Sequence, residues 1–363
     1  MSALESRFNA DQLIAFSRRV LERLDVRDAD AQRVAEHLVS ANLAGHDSHG
    51  IGLLPAYTRH AQEGLVDLKA AIEVVRETSV IYQVDAKRSW GVCAADRVLS
   101  TLSEKALKEG LACGSIANAH HLGRIGAYAE TLNARGLASL HFINVTDHAP
   151  LVAPFRGSDA RFGTNPICIG FPGTDERPDF MLDIATSTIA LGKVRVAAAK
   201  GVTVPPGTLL DPMGNPMTDP SGMAGFEIKG ALTPFSRHKG YGLAYACELL
   251  AGLLSGGGTI QPENERSGGI LNSMLSIVIN PQMFGDTGWM AKEQEALANY
   301  VTQSPPMDWD SPVLVPGDPE RAWRGKRERE GIPLDEATLA GLNELASALK
   351  TPELEPLKGR SEN

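Results

Sequence analysis

The chain has 363 residues, and its 35 Lys+Arg against 44 Asp+Glu leave a formal charge of −9 with histidines neutral. At about 150 residues per domain, that length predicts roughly two domains with ample core. Its 43% apolar and 22% charged residues exclude wholesale disorder. No run approaches the roughly 20 apolar residues of a membrane-spanning helix, and the acidic balance without a basic stripe excludes a nucleic-acid surface as the main function.

The first third reads as helical. Phe8-Asn9-Ala10-Asp11-Gln12-Leu13 has the form of a capping box with Asn9 as N-cap and Phe8 and Leu13 as its staple. Apolar residues then recur at helical spacing through Leu24. A second helix is expected over Asp28–Leu43, stopping at Gly45, and a third over Leu53–Glu63, stopping at Gly64. The pattern changes at Ile72–Val84, which reads as two short strands around Glu77-Thr78-Ser79. Helices follow over Ala94–Lys108 and Gly126–Arg135, with strands over Leu111–Ala117, Leu137–Val145, Ile167–Phe171, Phe180–Ile184 and Met274–Ile279. Thr186–Lys200 and Gly240–Leu254 are expected helices, while Val204–Gly222 holds too many turn signals for a regular element. After about residue 286 the chain is helical again through Leu334–Leu349, and the mixed-charge run Arg321–Glu330 reads as a solvated helix face. Helices at both ends of the chain predict one discontinuous helical domain, 1–75 with 286–363, around an α/β domain, 76–285.

The N-terminal MSALESRFNADQ lacks the basic and apolar regions of a signal peptide, so the cytoplasm is the expected compartment. Cys93, Cys113, Cys168 and Cys247 form no C-x-x-C pair, which excludes a zinc ribbon or thioredoxin-type site and agrees with reducing surroundings.

Chemistry concentrates in glycine-flanked polar clusters. AGHDSHGI (44–51) sets two histidines, an aspartate and a serine between helices. Read plainly, Asp47 or Ser48 caps the next helix; read functionally, His49 is an acid/base titrating near working pH. A metal shared by His46 and His49 is a third reading, with no acidic third ligand at a suitable spacing. NAHHLGRIG (118–126) puts adjacent histidines, then Gly123, Arg124 and Gly126, at a strand-to-helix junction where an anion can meet free N–H groups and an arginine. Asp183 stands at a strand end, with Thr186 or Ser187 as caps of the helix that follows. No G-x-G-x-x-G follows a strand, and Tyr245 stands where the last glycine after Gly240-Tyr241-Gly242 would fall, which disfavours a Rossmann dinucleotide site. G-x-x-x-x-G-K-[ST] and G-x-S-x-G are also missing, against an NTPase or serine hydrolase.

In order, GHDSHGI, HHLGRIGAYAE, FGTNP, DIATSTIALGK with the later PPGTLLDPMGNP, and HKGYGLAYACELLAGLLSGG resemble the type-2 malate/L-lactate dehydrogenase family, from about Phe8 to the last helix. That family includes sulfolactate, ureidoglycolate and diketogulonate oxidoreductases and a cyclic-imine reductase branch. The resemblance implies an α/β fold: a non-Rossmann NAD(P)-binding domain with a mixed, largely antiparallel sheet, plus the helical domain from both chain ends. It also implies NAD or NADP as cofactor, a 2-oxo or 2-hydroxy acid as substrate, and a homodimer with its active site near the subunit interface, without nucleic-acid or membrane partners.

By the same resemblance His49 is the proton donor and acceptor, and Ser48 the neighbour that hydrogen-bonds in the site. His121 matches the acid/base of the ureidoglycolate branch and contacts the cofactor. Gly123, Arg124 and Ile125, and likewise Asp183, Ile184 and Ala185, match cofactor-contacting turns. Thr164 matches a substrate contact, and Arg124 is a candidate for the substrate carboxylate or a cofactor phosphate. His238, Lys239 and Asn272 line the dinucleotide, and Pro316, Gly317, Asp318 and Pro319 resemble a late loop closing over it. The imine-reductase branch carries an arginine at the position of Leu53 and an acid near that of Lys193. Both differ here, which favours 2-oxo acid reduction over the runner-up, a cyclic-imine reductase; a non-catalytic nucleotide-binding protein is the alternative of another class.

Overall fold

The structure, a computed structural model, describes residues 6–174, 177–223 and 228–357. β1 (Ser6–Phe8) leads into α1 (Ala10–Glu22), where the Asn9 side chain accepts from the Gln12 amide at 2.7 Å. The reciprocal half of the capping box is missing, because the Gln12 side chain donates to the Glu355 carbonyl instead. α2 (Asp28–Leu43) and α3 (Leu54–Gln62) complete the first helical layer. Then come β2 (Glu73–Glu77), β3 (Ile81–Asp85), α4 (Gly91–Glu109), β4 (Leu111–His120), α5 (Gly126–Asn133), β5 (Ala138–Thr146), β6 (Ile167–Phe171) and β7 (Phe180–Ile184). α6 (Leu191–Ala199) precedes β8 (Leu209–Leu210), β9 (Pro216–Met217) and β10 (Ala231–Leu232). α7 (His238–Cys247) runs on through a π-helical stretch, Glu248–Leu253, before β11 (Leu271–Ile279), α8 (Thr287–Thr302), α9 (Asp318–Glu330), β12 (Ile332–Leu334) and α10 (Glu336–Ala348).

Seven strands form one sheet in the order β2-β3-β4-β11-β5-β6-β7. Only β3 and β4, joined through α4, are parallel, so the sheet is mixed and largely antiparallel. A core of α4, α5 and sheet residues, among them Val98, Leu102, Ile116, Tyr128 and Ile143, packs on one face. A second core joins Phe8, Leu13, Phe16, Leu38 and Tyr57 to Ile332, Leu342 and Ala346, so both chain ends share one helical layer. β1 pairs antiparallel with β12, Phe8 opposite Ile332, which fastens the two ends together.

Several local readings shift. The cut drawn between residues 75 and 76 falls inside β2. The helix read from Thr186 begins at Leu191, because Thr186 and Ser187 do not cap it: their hydroxyls donate to the Thr164 and Ile189 carbonyls. Within the turn-rich segment 204–222, β8 and β9 pair, and β10 completes a three-stranded sheet over a third core containing Val152, Leu209 and Leu232. The Arg321–Glu330 run is not wholly solvated. α9 lays Trp323 against Gly45 and buries Arg327, 7% exposed, on the turn after α2.

Candidate active site

The turn after α2 is built as a rigid frame. Gly45 takes φ +84°, a conformation that glycine adopts without steric cost. The Asn42 side chain accepts from the Ile51 amide at 2.8 Å and donates to Asp47 at 2.7 Å. Arg327 of α9 grips both Asp47 oxygens, at 2.6 and 2.9 Å, so Asp47 anchors this turn rather than capping α3. His46 Nε2 lies 3.2 Å from Glu320 Oε1, which turns it away from a metal shared with His49. What the frame presents is Ser48 and His49, with Ser48 Oγ 3.0 Å from His49 Nδ1. Gly192, at the start of α6, lies so near Ser48 that a Cβ there would stand 2.7 Å from the Ser48 Cβ.

The end of β4 supplies the partner. His121 stacks on His49 with ring centroids 5.9 Å apart and planes 16° from parallel. Its Nδ1 lies 2.7 Å from the Tyr57 hydroxyl. Tyr57 was not singled out from the sequence, although Tyr57 and His60 stand one helical turn apart on α3 and face the same wall. His120 is placed differently: fully buried, with Nε2 2.9 Å from His60 Nδ1 and its ring edge-on to Tyr57 and Trp90.

Electrostatics follow from the packing. Burial, helped by His46 and Arg124, lowers His49 to about 4. Burial, helped by His49, His148 and His60, lowers His121 to about 3. Both rings are therefore neutral at neutral pH, and two stacked imidazoliums would repel.

Asn272 and Asp183, two of the residues matched to a cofactor, are hydrogen-bonded to the segment that follows His121. Asn272 Oδ1 accepts from the Leu122 amide at 2.9 Å and its Nδ2 donates to the Asn144 carbonyl, so this buried side chain holds the turn that carries His121. Gly123 takes φ +68° directly over the His37 ring, leaving no room for a Cβ. Arg124, 2% exposed, is bound by Glu130 through both terminal nitrogens. That ion pair occupies its guanidinium. Asp183 accepts from the Gly126 amide at 2.7 Å, which aligns the end of β7, Asp183-Ile184-Ala185, with the amino end of α5. Burial raises the Asp183 carboxyl against the opposing pull of that amide and Arg124.

The Pro316–Pro319 loop rides on the same edge strand, the Met181 amide donating to the Pro316 carbonyl at 3.2 Å, with Gly317 at φ +101°. Asp318 accepts from the Val315 amide and Arg321, and Pro319 opens α9. The Thr164 carbonyl accepts from both the amide and the hydroxyl of Thr186. The Thr186 carbonyl in turn accepts from the Phe235 amide, and α7 starts three residues later with exposed His238 and Lys239. Ser236 and Arg237, at φ +46° and +57°, hold that helix start in an uncommon conformation.

A glycine turn, a helix amino end and two basic side chains at a second helix start suit a phosphate-bearing dinucleotide. The stacked histidines suit proton transfer to an adjacent oxygen.

The sequence profile of the malate/L-lactate dehydrogenase family matches residues 8–343. Hydroxycarboxylate dehydrogenase B of Escherichia coli (strain K12) is 43% identical over 349 residues, 96% of this chain and 95% of that one. L-lactate dehydrogenase of Cupriavidus necator is 38% identical over 333 residues, 92% and 95% of the two chains. The crystal structure of Δ1-piperideine-2-carboxylate reductase from Pseudomonas syringae superposes with a TM-score of 0.80 at 30% identity, covering 94% of this chain and 99% of that one. The chain belongs to the malate/L-lactate dehydrogenase family. It is an enzyme of the dehydrogenase class, and membership implies a nicotinamide cofactor.

Proposed function

We propose that this enzyme interconverts 2-oxo and 2-hydroxy acids, with His49 moving the proton. The observation that carries the reading is the stacked His49–His121 pair, braced by Ser48 on one ring and Tyr57 on the other. Bound NAD or NADP supplies the hydride acceptor or donor. The backbone of Gly123–Ile125, the amino end of α5 and Asp183–Ala185 hold its phosphates and ribose, joined by His238, Lys239 and Pro316–Pro319, with Asn272 setting the turn from behind. In oxidation, neutral His49 takes the substrate hydroxyl proton at Nε2 while its Nδ1–H donates to Ser48 Oγ. In reduction, the same Nε2 returns the proton to the developing alkoxide. Nδ1 keeps its hydrogen in both states, so Ser48 Oγ accepts from it and holds the ring in either one. His121, fixed by Tyr57, donates to the same substrate oxygen, and Thr164 contacts the acid beside it. Leu53 packs among the apolar residues of the helical core, which supports a 2-oxo acid over a cyclic imine as substrate.

The test is fluorescence titration with NADH and NADPH, followed by turnover on a panel of 2-oxo acids and cyclic imines at the reduced-nicotinamide band. Turnover of 2-oxo acids is expected. Turnover of imines alone would make the enzyme an imine reductase, and cofactor binding without any turnover would leave a nucleotide-binding protein.

We also propose a homodimer. The chain exposes 18672 Å², whereas a folded monomer of 38.8 kDa exposes about 14000 Å². α8 buries none of its 16 residues and presents Trp289, Leu297 and Tyr300 to solvent. Tyr245, Leu249 and Leu253 recur every four residues as exposed apolar groups. Sedimentation at micromolar concentration is expected to give a dimer mass. Four free thiols support a cytoplasmic site of action.

A further inference from the structure

One buried carboxylate takes no part in the proton transfer. Glu248, 5% exposed, opens the π-helical stretch that continues α7. Among the described residues no cation pairs with it, so hydrogen bonds must replace the water it has lost. Three N–H groups do so. Oε1 accepts from Asn165 Nδ2 at 2.8 Å, and Oε2 accepts from Asn144 Nδ2 at 3.1 Å and from the Ile260 amide at 3.0 Å. Burial raises the Glu248 carboxyl, while Asn165, Asn144 and Ile260 pull it back toward the ionised form. Gly252 lets the π turn come this close, since a Cβ there would stand 2.7 Å from Asn144 Nδ2. Helical turns of this kind are rare and occur frequently at functional sites.

The residue that Oε1 holds is strained. Asn165 is fully buried and takes φ +33°, an uncommon value for a residue with a Cβ. Pro166 follows it, and a proline favours extended backbone in the residue before it. Such a conformation persists only where its surroundings over-determine it. Asn165 Nδ2 is shared between Glu248 and the Ala244 carbonyl, the latter at 3.1 Å, and the Cys247 thiol lies 3.6 Å from the Asn165 carbonyl. One helical turn, Ala244–Glu248, therefore fixes Asn165 from three directions. Its neighbour is Thr164, half-buried, whose carbonyl is held by Thr186 and whose hydroxyl takes no partner among the described residues.

We propose that Glu248 is a positioning residue for the substrate acid: its carboxylate holds Asn165 at positive φ, and that backbone sets where the Thr164 hydroxyl meets the substrate. The inference rests on the proposed 2-oxo acid reaction, in which Thr164 contacts the acid. Glu248 itself touches neither substrate nor the His49–His121 pair, so its loss is felt in substrate affinity rather than in proton transfer.

Steady-state kinetics of the full chain at saturating cofactor, with a 2-oxo acid that the parent reduces, test this. Glu248→Gln keeps the size but turns an NH2 against the N–H donors around it. KM is expected to rise about tenfold, kcat to fall less than about threefold, and the cofactor dissociation constant to stay within about twofold. Asn165→Ala removes the amide and disfavours positive φ while leaving Glu248 in place. It is expected to give the same split, and it carries the test if thermal melts show Glu248→Gln unfolded. Thr164→Val removes only the hydroxyl: it raises KM in the parent by a similar factor, but adds less than about twofold in Glu248→Gln, where the hydroxyl is already displaced. A merely structural Glu248 would lower the melting temperature and leave the two effects to multiply. The proposal is overturned if the folded variants keep the parental KM, or if the Glu248→Gln and Thr164→Val effects multiply. Failure of the 2-oxo acid reading shows in the parent, before any substitution: no 2-oxo acid is reduced, and the inference falls with it.

Discussion

His120 and His121 are consecutive in the chain, the last residue of β4 and the first beyond it, and their rings enter different surroundings. His120 enters the core, meets His60 at 2.9 Å and lies edge-on to Tyr57 and Trp90. His121 stacks on His49 and is held by the Tyr57 hydroxyl. Both are neutral at pH 7 because burial lowers both. Residue type and neutral charge therefore do not separate the two histidines, whereas exposure does: His120 is fully buried and His121 only partly so. What separates them is whether a ring nitrogen remains that a substrate oxygen can reach.

The largest effect that breaks this comparison belongs to the His49–His121 pair. His49→Asn keeps a side chain of similar size but cannot exchange a proton near neutral pH. It is expected to lower kcat by about 10²–10⁴ while the cofactor dissociation constant stays near that of the parent enzyme. Near-parental turnover would move the proton role to His121.

The next effect comes from the core. His141 is fully buried between Ser276 and Ser139, at 2.8 and 3.0 Å, and burial lowers it to about 4. A histidine whose folded pKa lies below its unfolded value of about 6.5 binds fewer protons folded than unfolded. Its stabilisation is intact above pH 6.5 and is lost as the pH falls from 6.5 toward 4. For His141 that loss amounts to about 3 kcal/mol, and His37, His120 and His121 act in the same direction. The melting temperature is expected to fall steeply over this window, and His141→Gln is expected to flatten the fall. An unchanged slope would show that His141 is not the titrating group.

A smaller effect tests His120 directly. His120→Ala leaves buried His60 Nδ1 without its partner and should cost about 1–3 kcal/mol of stability, read from urea unfolding, with kcat within a few-fold of the parent. A large loss of kcat in a folded protein would place His120 in the proton path after all.

Much of the fold was legible because it is written in local rules. Asn9 caps α1, and Gly45 and Gly64 take the positive φ values that follow helices. Short apolar runs bounded by turn residues located the strands of the large sheet. Legibility failed where a distant partner decided the outcome. Nothing within the charged run 321–330 says that Arg327 will be buried on Asp47, some 280 residues away. The glycine-flanked position of Arg124 suggests an anion site, whereas Glu130 on α5 takes its guanidinium. Thr186 was read as a cap because its true acceptor, the Thr164 carbonyl, comes from another loop. The histidine clusters were legible as chemistry, yet their pairing (His49 with His121, His60 with His120) follows from where α3 meets the end of β4.

The smallest predicted effect bears on the element shared by both histidines. Tyr57 donates or accepts at His121 Nδ1 through its hydroxyl and packs its ring edge on His120, so one side chain supports both fates. Tyr57→Phe keeps the ring, and with it the packing around His120, and removes only the hydrogen bond. Because Tyr57 acts through His121 rather than on the substrate, stability should change by less than about 1 kcal/mol while kcat falls by roughly three- to tenfold at an unchanged cofactor constant. Loss of the hydroxyl also frees His121 Nδ1, so the acidic limb of the oxidation pH profile should move, a change that a purely structural tyrosine would not cause. An unmoved profile would assign the Tyr57 hydroxyl to the core side of the pair, with His121 oriented by its stacking on His49 alone.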